Sequence, residues 1–127
     1  MRVLIVDDEK AVADTLVMIL RKKGYDAVAA YDSDEALEEM NEFLPDCVIA
    51  DVIMPGMKGT DLCAIIERRV PGCHILLFSG DTSTRQLIES ARSEGRKWEM
   101  VSKPADPGEL LDQLATLRAG HRDVPSG

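Results

Sequence analysis

Three aspartates and one lysine follow short apolar runs in this chain, at the points where buried strands would end. Asp7 and Asp8 follow the run 3–6, Asp51 follows the run 47–50, and Lys103 follows the run 100–102. If these strands are neighbours in one sheet, three carboxylates and an ammonium group meet at one edge. Like charges a few ångströms apart repel one another strongly. We therefore expect this cluster to hold a cation or to do chemistry.

The donor atoms of the cluster are oxygens, which suit Mg²⁺ and also Mn²⁺. No histidine or cysteine joins them at metal-ligand spacing, which argues against zinc. One carboxylate could also attack a phosphoryl group and form an acyl phosphate. That chemistry needs a cation at the phosphoryl oxygens and further donors around them. Lys103 and the hydroxyl of Ser79, at the end of another apolar run, could supply those donors.

Short apolar segments alternate with longer amphipathic segments along the chain. The predicted strands are residues 2–7, 26–30, 46–51, 74–79 and 98–102, and the predicted helices are residues 10–23, 33–43, 60–69, 83–94 and 107–118. We expect Gly24 to end the first helix and Ser33 to cap the second. Continuous apolar strands are typical of a parallel sheet that is covered on both faces. The alternation therefore predicts an α/β fold with a doubly wound, five-stranded parallel sheet.

The composition limits the remaining choices. A chain of 127 residues suits one domain, expected at 1–119, followed by a flexible tail at 120–127. The net charge of -8 argues against direct binding to nucleic acid or to anionic lipid. No apolar run is long enough to span a membrane, and the start of the chain lacks the pattern of a signal peptide. We expect a cytoplasmic protein in which Cys47 is reduced and buried.

Each motif also has a structural interpretation when it is taken alone. Residues 7–9 could merely cap the first helix, and Asp51 could be a turn residue. Ser79 could be a loop residue, and residues 103–104 could be only a junction between a strand and a loop. Taken together, four strand ends carry the residue types that one phosphoryl site needs. This combination favours the functional interpretation.

The ordered set of motifs resembles the receiver domain of two-component response regulators, over residues 1 to about 118. The matching segments are Val-Leu-Ile-Val-Asp-Asp-Glu at 3–9, Pro-Asp-Cys-Val-Ile-Ala-Asp-Val-Ile-Met-Pro-Gly-Met-Lys-Gly at 45–59, Leu-Leu-Phe-Ser-Gly at 76–80 and Ser-Lys-Pro at 102–104. Any one of these segments is a weak signal, whereas the ordered set at this spacing is specific. The resemblance implies a flavodoxin-like sheet with the strand order 2-1-3-4-5.

The resemblance also implies roles for the acidic residues. Asp51 would be the phosphoacceptor, taking a phosphoryl group from the phosphohistidine of a histidine kinase or a phosphotransfer protein. Asp8 and Asp51 would bind Mg²⁺ directly, together with the backbone carbonyl of Ile53. Asp7 would act mainly through a water molecule bound to the metal.

Further roles are implied for the residues around the phosphoryl group. Lys103 and Ser79 would contact it, and the peptide bond before Pro104 would be cis. Members of the family usually carry Tyr or Phe at the switch position that Met100 occupies here. This chain therefore departs from the aromatic switch of the family at that position.

The implied function is a phosphorylation-controlled binding module. Phosphorylation would change the face formed by the fourth helix, the fifth strand and the fifth helix, which would bind a downstream protein, a fused output domain or a second copy in a homodimer. The chain would not be an enzyme beyond its own phosphorylation and dephosphorylation. Two alternatives stay open: a receiver-like module that binds partners without phosphorylation, and a phosphatase that turns over an aspartyl phosphate. The motif Asp-Asp-Glu and the short chain argue against the phosphatase.

Overall fold

A single parallel sheet organises the chain. The computed structural model describes residues 1–52, 57–79, 89, 99–102 and 107–123. The strands β1 (Arg2–Val6), β2 (Asp26–Ala30), β3 (Cys47–Asp51), β4 (His74–Ser79) and β5 (Glu99–Ser102) lie in the order β2-β1-β3-β4-β5, and every neighbouring pair is parallel. The predicted strand order and the predicted parallel pairing are confirmed.

Helices connect the strands on both sides of this sheet. They are α1 (Lys10–Lys22), α2 (Ser33–Phe43), α3 (Gly59–Arg69) and a C-terminal helix (Pro107–Asp123). The predicted helix at 83–94 lies outside the described residues, apart from Glu89, which is helical. Within the described ranges, no helix is both long enough and apolar enough to cross a membrane.

The sheet buries both of its faces because successive side chains of each strand point to opposite sides. In β1, Val3 and Ile5 join one apolar cluster, whereas Leu4 and Val6 join the other. α1 and the C-terminal helix pack on the first face, and α2 and α3 pack on the second. The prediction of a doubly wound sheet is therefore confirmed. Cys47 is fully buried and is not part of a disulfide bond, as predicted.

The first helix ends at the predicted glycine. Gly24 has a φ of 91°, a left-handed conformation that glycine adopts without a steric penalty. Its backbone N–H donates to the carbonyl of Arg21 at 3.1 Å, and the N–H of Tyr25 donates to the carbonyl of Leu20 at 3.0 Å. These two bonds form a Schellman motif, which satisfies carbonyl groups at the helix end.

The second helix is capped by Asp32, so the prediction that Ser33 caps it is wrong. The Asp32 side chain accepts the backbone N–H of Glu35 at 2.8 Å, and the Glu35 carboxylate accepts the backbone N–H of Tyr31 at 3.0 Å. Ser33 is instead the first helical residue and is buried. Both residue types suit an N-cap, and the paired bonds with Glu35 decide between them.

The C-terminal helix continues to Asp123, through the first residues of the tail predicted at 120–127. Gly120 is the only helix-weakening residue type at the predicted boundary. A glycine costs only about 1 kcal/mol relative to alanine inside a helix. That cost is too small to force the helix to end there.

Candidate functional site

The sheet brings the ends of β1 and β3 together. Asp7 directly follows β1 and Asp51 is the last residue of β3, and the two strands are neighbours with Val6 opposite Ala50. The chain places β2 on one side of β1 and β3 on the other, so the strand order reverses at this point. In open α/β sheets, ligands bind outside the carboxyl ends of the strands at such a reversal. Two of the predicted acidic residues therefore lie at the expected binding position.

Three carboxylates converge at this carboxyl edge of the sheet. Oxygen atoms of Asp7, Asp8 and Asp51 all lie within 4.8 Å of one another. The ligand oxygens of a Mg²⁺ ion, at its short coordination distances, are at most about 4.2 Å apart. The observed cluster is therefore close to the size that one small cation needs. Because its donors are all oxygens, the cluster fits Mg²⁺ or Mn²⁺.

The three carboxylates differ in their exposure. Asp7 is fully buried at 0% exposure, Asp51 is 8% exposed, and Asp8 lies at the surface. The Asp7 carboxylate accepts the backbone N–H of Glu9 at 3.0 Å, and the Asp7 backbone N–H donates to the carbonyl of Ala30 at 3.1 Å. A buried carboxylate is stable only when hydrogen bonds or a cation compensate for its lost hydration. Asp7 therefore forms the floor of the site, with Asp8 at its mouth.

The main chain after Asp51 is held between β4 and α3. The backbone N–H of Val52 donates to the carbonyl of Phe78 at 3.1 Å. The carbonyl of Val52 accepts the backbone N–H of Gly59, the first residue of α3, at 2.9 Å. These bonds fix the backbone from which the Asp51 side chain extends.

The other predicted site residues lie near the ends of β4 and β5, or outside the described residues. Ser79 is the last residue of β4, one residue after Phe78, which is opposite Asp51 in the sheet. Met100 lies in β5, opposite Leu77. Three predicted site residues lie outside the described residues, and their roles stay predictions: Ile53, Lys103 and Pro104.

A tyrosine and a lysine at the carboxyl edge of the sheet were not predicted. Tyr31 directly follows β2, at the same edge of the sheet as Asp7. Its hydroxyl donates to the Asp14 carboxylate at 2.5 Å, and this bond raises the pKa of Tyr31. The Lys10 ammonium group lies 5.1 Å from the centroid of the Tyr31 ring, a distance at which the two attract. These contacts place a cation on the first turn of α1, close in sequence to Asp7 and Asp8.

The comparison with known families identifies the chain. The response regulator receiver domain model matches residues 3–115. This chain belongs to the response regulator receiver domain family. It is a receiver domain of the two-component response regulator type, as the motifs of the sequence predict.

Known relatives agree with this assignment. The DNA-binding response regulator MtrA of Mycolicibacterium smegmatis is 31% identical over 125 residues, which are 98% of this chain and 54% of MtrA. The chain spans about half the length of the curated relatives that it matches. The structure of a CheY-like receiver domain protein from Methanospirillum hungatei has a TM-score of 0.82 at 27% identity, covering 96% of this chain and 97% of that protein. The chemotaxis protein CheY4 of Vibrio cholerae has a TM-score of 0.81 at 27% identity, covering 91% of this chain and 97% of that protein.

Proposed function

We propose that this receiver domain accepts a phosphoryl group on Asp51, in a reaction that depends on Mg²⁺. One observation carries the proposal: three carboxylates lie within 4.8 Å of one another at the carboxyl edge of β1 and β3. Repulsion among these groups makes the arrangement costly for a purely structural role. The donor would be the phosphohistidine of a histidine kinase or of a phosphotransfer protein.

The exposure of the carboxylates favours Asp51 over Asp7 as the nucleophile. Asp7 is fully buried and accepts a backbone N–H, so a donor cannot reach it without disrupting the site. Asp51 is 8% exposed, and its backbone is fixed through the bonds of Val52 to Phe78 and Gly59. A partly accessible group on a fixed backbone can be aligned with an incoming phosphorus atom.

The proposed step is a direct transfer between a nitrogen and an oxygen. A carboxylate oxygen of Asp51 attacks phosphorus, and a new P–O bond forms as the P–N bond to the donor imidazole breaks. The electron pair of the broken bond leaves with the imidazole, which takes up a proton. The product is an acyl phosphate on Asp51.

Asp7, Asp8 and Asp51 would hold the cation, together with the backbone carbonyl of Ile53. Asp7 would act mainly through a bound water molecule. When bound, Mg²⁺ would offset the repulsion among the carboxylates and the phosphoryl oxygens. Because Asp8 is exposed, the mouth of the site also has room for the water molecules that Mg²⁺ usually retains.

Ser79 and Lys103 would bind the transferred phosphoryl group. The position of Ser79 supports its role, because it ends the strand that pairs with β3 beside Asp51. Lys103 comes directly after Ser102, the last residue of β5. Its role is proposed from this position in the sequence. The peptide bond between Lys103 and Pro104 is proposed to be cis, as the resemblance to the family implies.

Phosphorylation would control binding at the face that includes β5 and the C-terminal helix. The phosphoryl group adds a charge of about -2, which would favour a different arrangement of the strands and helices around it. The partner would be a downstream protein, a second copy or a fused output domain. MtrA, a relative nearly twice as long, is described as DNA-binding. In this chain, the net charge of -8 argues against direct nucleic-acid binding by the domain itself.

The proposal includes a cytoplasmic location and no activity as an enzyme toward a separate substrate. One observation favours a second function, a module that binds partners without phosphorylation. Met100 occupies β5 at the switch position, where the family usually carries an aromatic residue. The acidic cluster favours the phosphoacceptor over this alternative.

Intact-mass measurement tests the proposed function. The protein is incubated with acetyl phosphate and Mg²⁺, beside an Asp51→Asn variant and a sample with excess EDTA. We expect one phosphoryl adduct in the wild-type protein with Mg²⁺, and none in the other two samples. The absence of an adduct with acetyl phosphate and with a phosphorylated kinase would reject the phosphoacceptor role. Repeated hydrolysis of an added phosphoester would instead indicate a phosphatase.

A further inference from the structure

Gly59 occupies a space in which no side chain fits. It is the buried first residue of α3, and it lies against the peptide that joins Asp51 to Val52. A Cβ atom at this position would lie 2.9 Å from the carbonyl carbon of Asp51 and 2.9 Å from the Cα of Val52. It would lie closer still to the carbonyl oxygen of Asp51. Any residue other than glycine would therefore force the start of α3 and the Asp51 backbone apart.

The backbone conformation of Gly59 does not itself require glycine. Among the described glycines, the left-handed conformations belong to Gly24 and Gly72, both with a φ of 91°. A Cβ atom at either of those positions would meet nothing within 4 Å. Gly59 begins a helix, where alanine is ordinarily more favourable than glycine. The contact with Asp51 is therefore the feature that selects glycine at this position.

Hydrogen bonds hold Gly59 against the backbone of Asp51 and Val52. The N–H of Gly59 donates to the carbonyl of Val52 at 2.9 Å, while the N–H of Val52 donates to the carbonyl of Phe78 at 3.1 Å. The peptide after Asp51 is thus held from two sides, by α3 and by β4. Its movement away from a new side chain at position 59 would strain these bonds.

We propose that Gly59 is a positioning residue for phosphoryl transfer at Asp51. The inference rests on the proposed function and adds a residue that acts through the Asp51 backbone. The carboxylate of Asp51 must stay within the 4.8 Å cluster that includes Asp7 and Asp8. Relief of the contact with an added Cβ requires a shift of about 1 Å, and a displacement of that size can slow a reaction by about a hundredfold.

The test compares Gly59→Ala with Gly72→Ala. Gly72 lies in the turn between α3 and β4, where an added Cβ strains the backbone but touches nothing. For each variant and the wild-type protein, urea unfolding gives the stability, intact mass gives the rate of phosphorylation by acetyl phosphate, and calorimetry gives the Mg²⁺ affinity. We expect Gly59→Ala to lose at least about tenfold in rate and to bind Mg²⁺ more weakly. Gly72→Ala should keep a phosphorylation rate and a Mg²⁺ affinity within about twofold of the wild-type protein, although it also loses stability.

The wild-type sample separates the two proposals. An adduct on the wild-type protein together with an unchanged rate in Gly59→Ala would overturn the role of Gly59 alone. An equal loss of rate in both variants would also overturn it, because the effect would then follow stability. A wild-type protein without an adduct would reject the proposed function, and the role of Gly59 with it.

A second, stabilising substitution keeps the test informative if Gly59→Ala does not fold. If Gly59→Ala is unfolded, all three measurements are repeated in the presence of Leu44→Gly, a change that should relieve a left-handed leucine far from the site. A folded double variant with the tenfold loss supports the proposal. A double variant that is still unfolded contradicts it, because Gly59 would then serve the fold rather than the position of Asp51.

Discussion

The two edges of the sheet arrange their acidic side chains differently, with an aspartate beside an arginine at one edge and three carboxylates close together at the other. At the amino edge, the Asp46 carboxylate accepts the backbone N–H of Arg2 at 2.8 Å, and the Asp26 carboxylate lies 3.8 Å from the Arg2 guanidinium group. The same guanidinium group donates to the carbonyl of Phe43 at 2.7 Å and lies over its ring. At the carboxyl edge, oxygen atoms of three carboxylates lie within 4.8 Å of one another.

The difference shows how one sheet separates stability from function. Paired charges at the amino edge help to fix the ends of β1, β2 and α2. Gathered like charges at the carboxyl edge oppose folding, by up to about 4 kcal/mol for two groups 4 Å apart near a surface. Exposure of Asp8 reduces this penalty through solvent screening. The comparison implies that the amino edge is inert and that the carboxyl edge is reactive, which the following predictions test.

The largest expected effect concerns Cys73, beside the amino edge. Burial of the thiol, with smaller contributions from the charges of Asp46 and Glu67, raises the pKa of Cys73 from 9.0 to about 12. At pH 8 the thiolate fraction is then about a thousandfold lower than that of an ordinary cysteine, and the thiolate is the reactive form. We expect Cys73 to react with iodoacetamide about a thousandfold more slowly in the native chain than in the urea-unfolded chain, as measured by peptide mass mapping.

The same shift has a consequence for stability at high pH. Between pH 9 and about 12 the unfolded chain loses the Cys73 proton while the folded chain keeps it. The contribution of this thiol to stability is therefore present below pH 9 and is lost as the pH rises through that window. Cys73→Ser should flatten the fall in stability above pH 9. Equal alkylation rates in the native and unfolded chains would contradict both expectations.

The next effect in size is stabilisation by Mg²⁺ at the carboxyl edge. A ligand at a hundred times its Kd stabilises the folded state by about 2.7 kcal/mol, which thermal or urea unfolding measures directly. Asp8→Asn should remove most of this gain, because it deletes a proposed ligand. Asp26→Asn at the amino edge should leave the gain intact and serves as the matched control. A gain that survives Asp8→Asn would place the cation elsewhere.

A smaller effect is expected at Leu44, close to the amino edge. Leu44 ends α2 with a φ of 50°, and 56% of its surface is exposed. The left-handed conformation costs a non-glycine residue roughly 1–2 kcal/mol, of which the greater freedom of unfolded glycine cancels a part. Leu44→Gly should therefore raise the free energy of unfolding by about 0.5–1 kcal/mol. Leu44→Ala is the control, and an equal gain from alanine would show that strain is not the cause.

The smallest effect contrasts the two edges without any metal. Asp8→Asn removes one of the gathered charges and should stabilise the EDTA-treated protein by up to about 1 kcal/mol. Asp26→Asn removes a paired charge and should destabilise it by about 0.5 kcal/mol or less, because Arg2 and Asp26 are both largely exposed. Urea unfolding at low salt measures both changes. Shifts of the same sign would remove the distinction between the edges.

Local patterns predicted the parallel strands and placed the aspartates at their ends, whereas the strand order was implied by the resemblance to the receiver family. Continuous apolar runs marked β1 and β3, and the strand order then brought Asp7 beside Asp51. The cap of α2 could not be predicted in the same way, because Asp32 and Ser33 are both good capping residues. Which of the two residues caps the helix depends on the hydrogen bonds of Glu35 with Tyr31 and Asp32, which precede the helix.

Contacts between distant segments account for most of what the sequence did not show. The sequence motif at 45–59 ends at Gly59, but the need for glycine there arises from a contact with the Asp51 backbone that exists only after α3 packs against β3. Similarly, the raised pKa of Cys73 depends on burial and on Asp46, which directly precedes a different strand, β3. Such effects depend on the folded structure, because spacing along the chain does not determine which distant segments come into contact.

The most direct measurement asks which aspartate receives the phosphoryl group. The wild-type protein is treated with acetyl phosphate and Mg²⁺, reduced with borohydride to convert an acyl phosphate into homoserine, and mapped by peptide mass. We expect conversion of Asp51 at the carboxyl edge and no conversion of Asp46 at the amino edge. Conversion of Asp46 or Asp8, or an unmodified Asp51, would contradict the assignment of the carboxyl edge as the phosphoacceptor site.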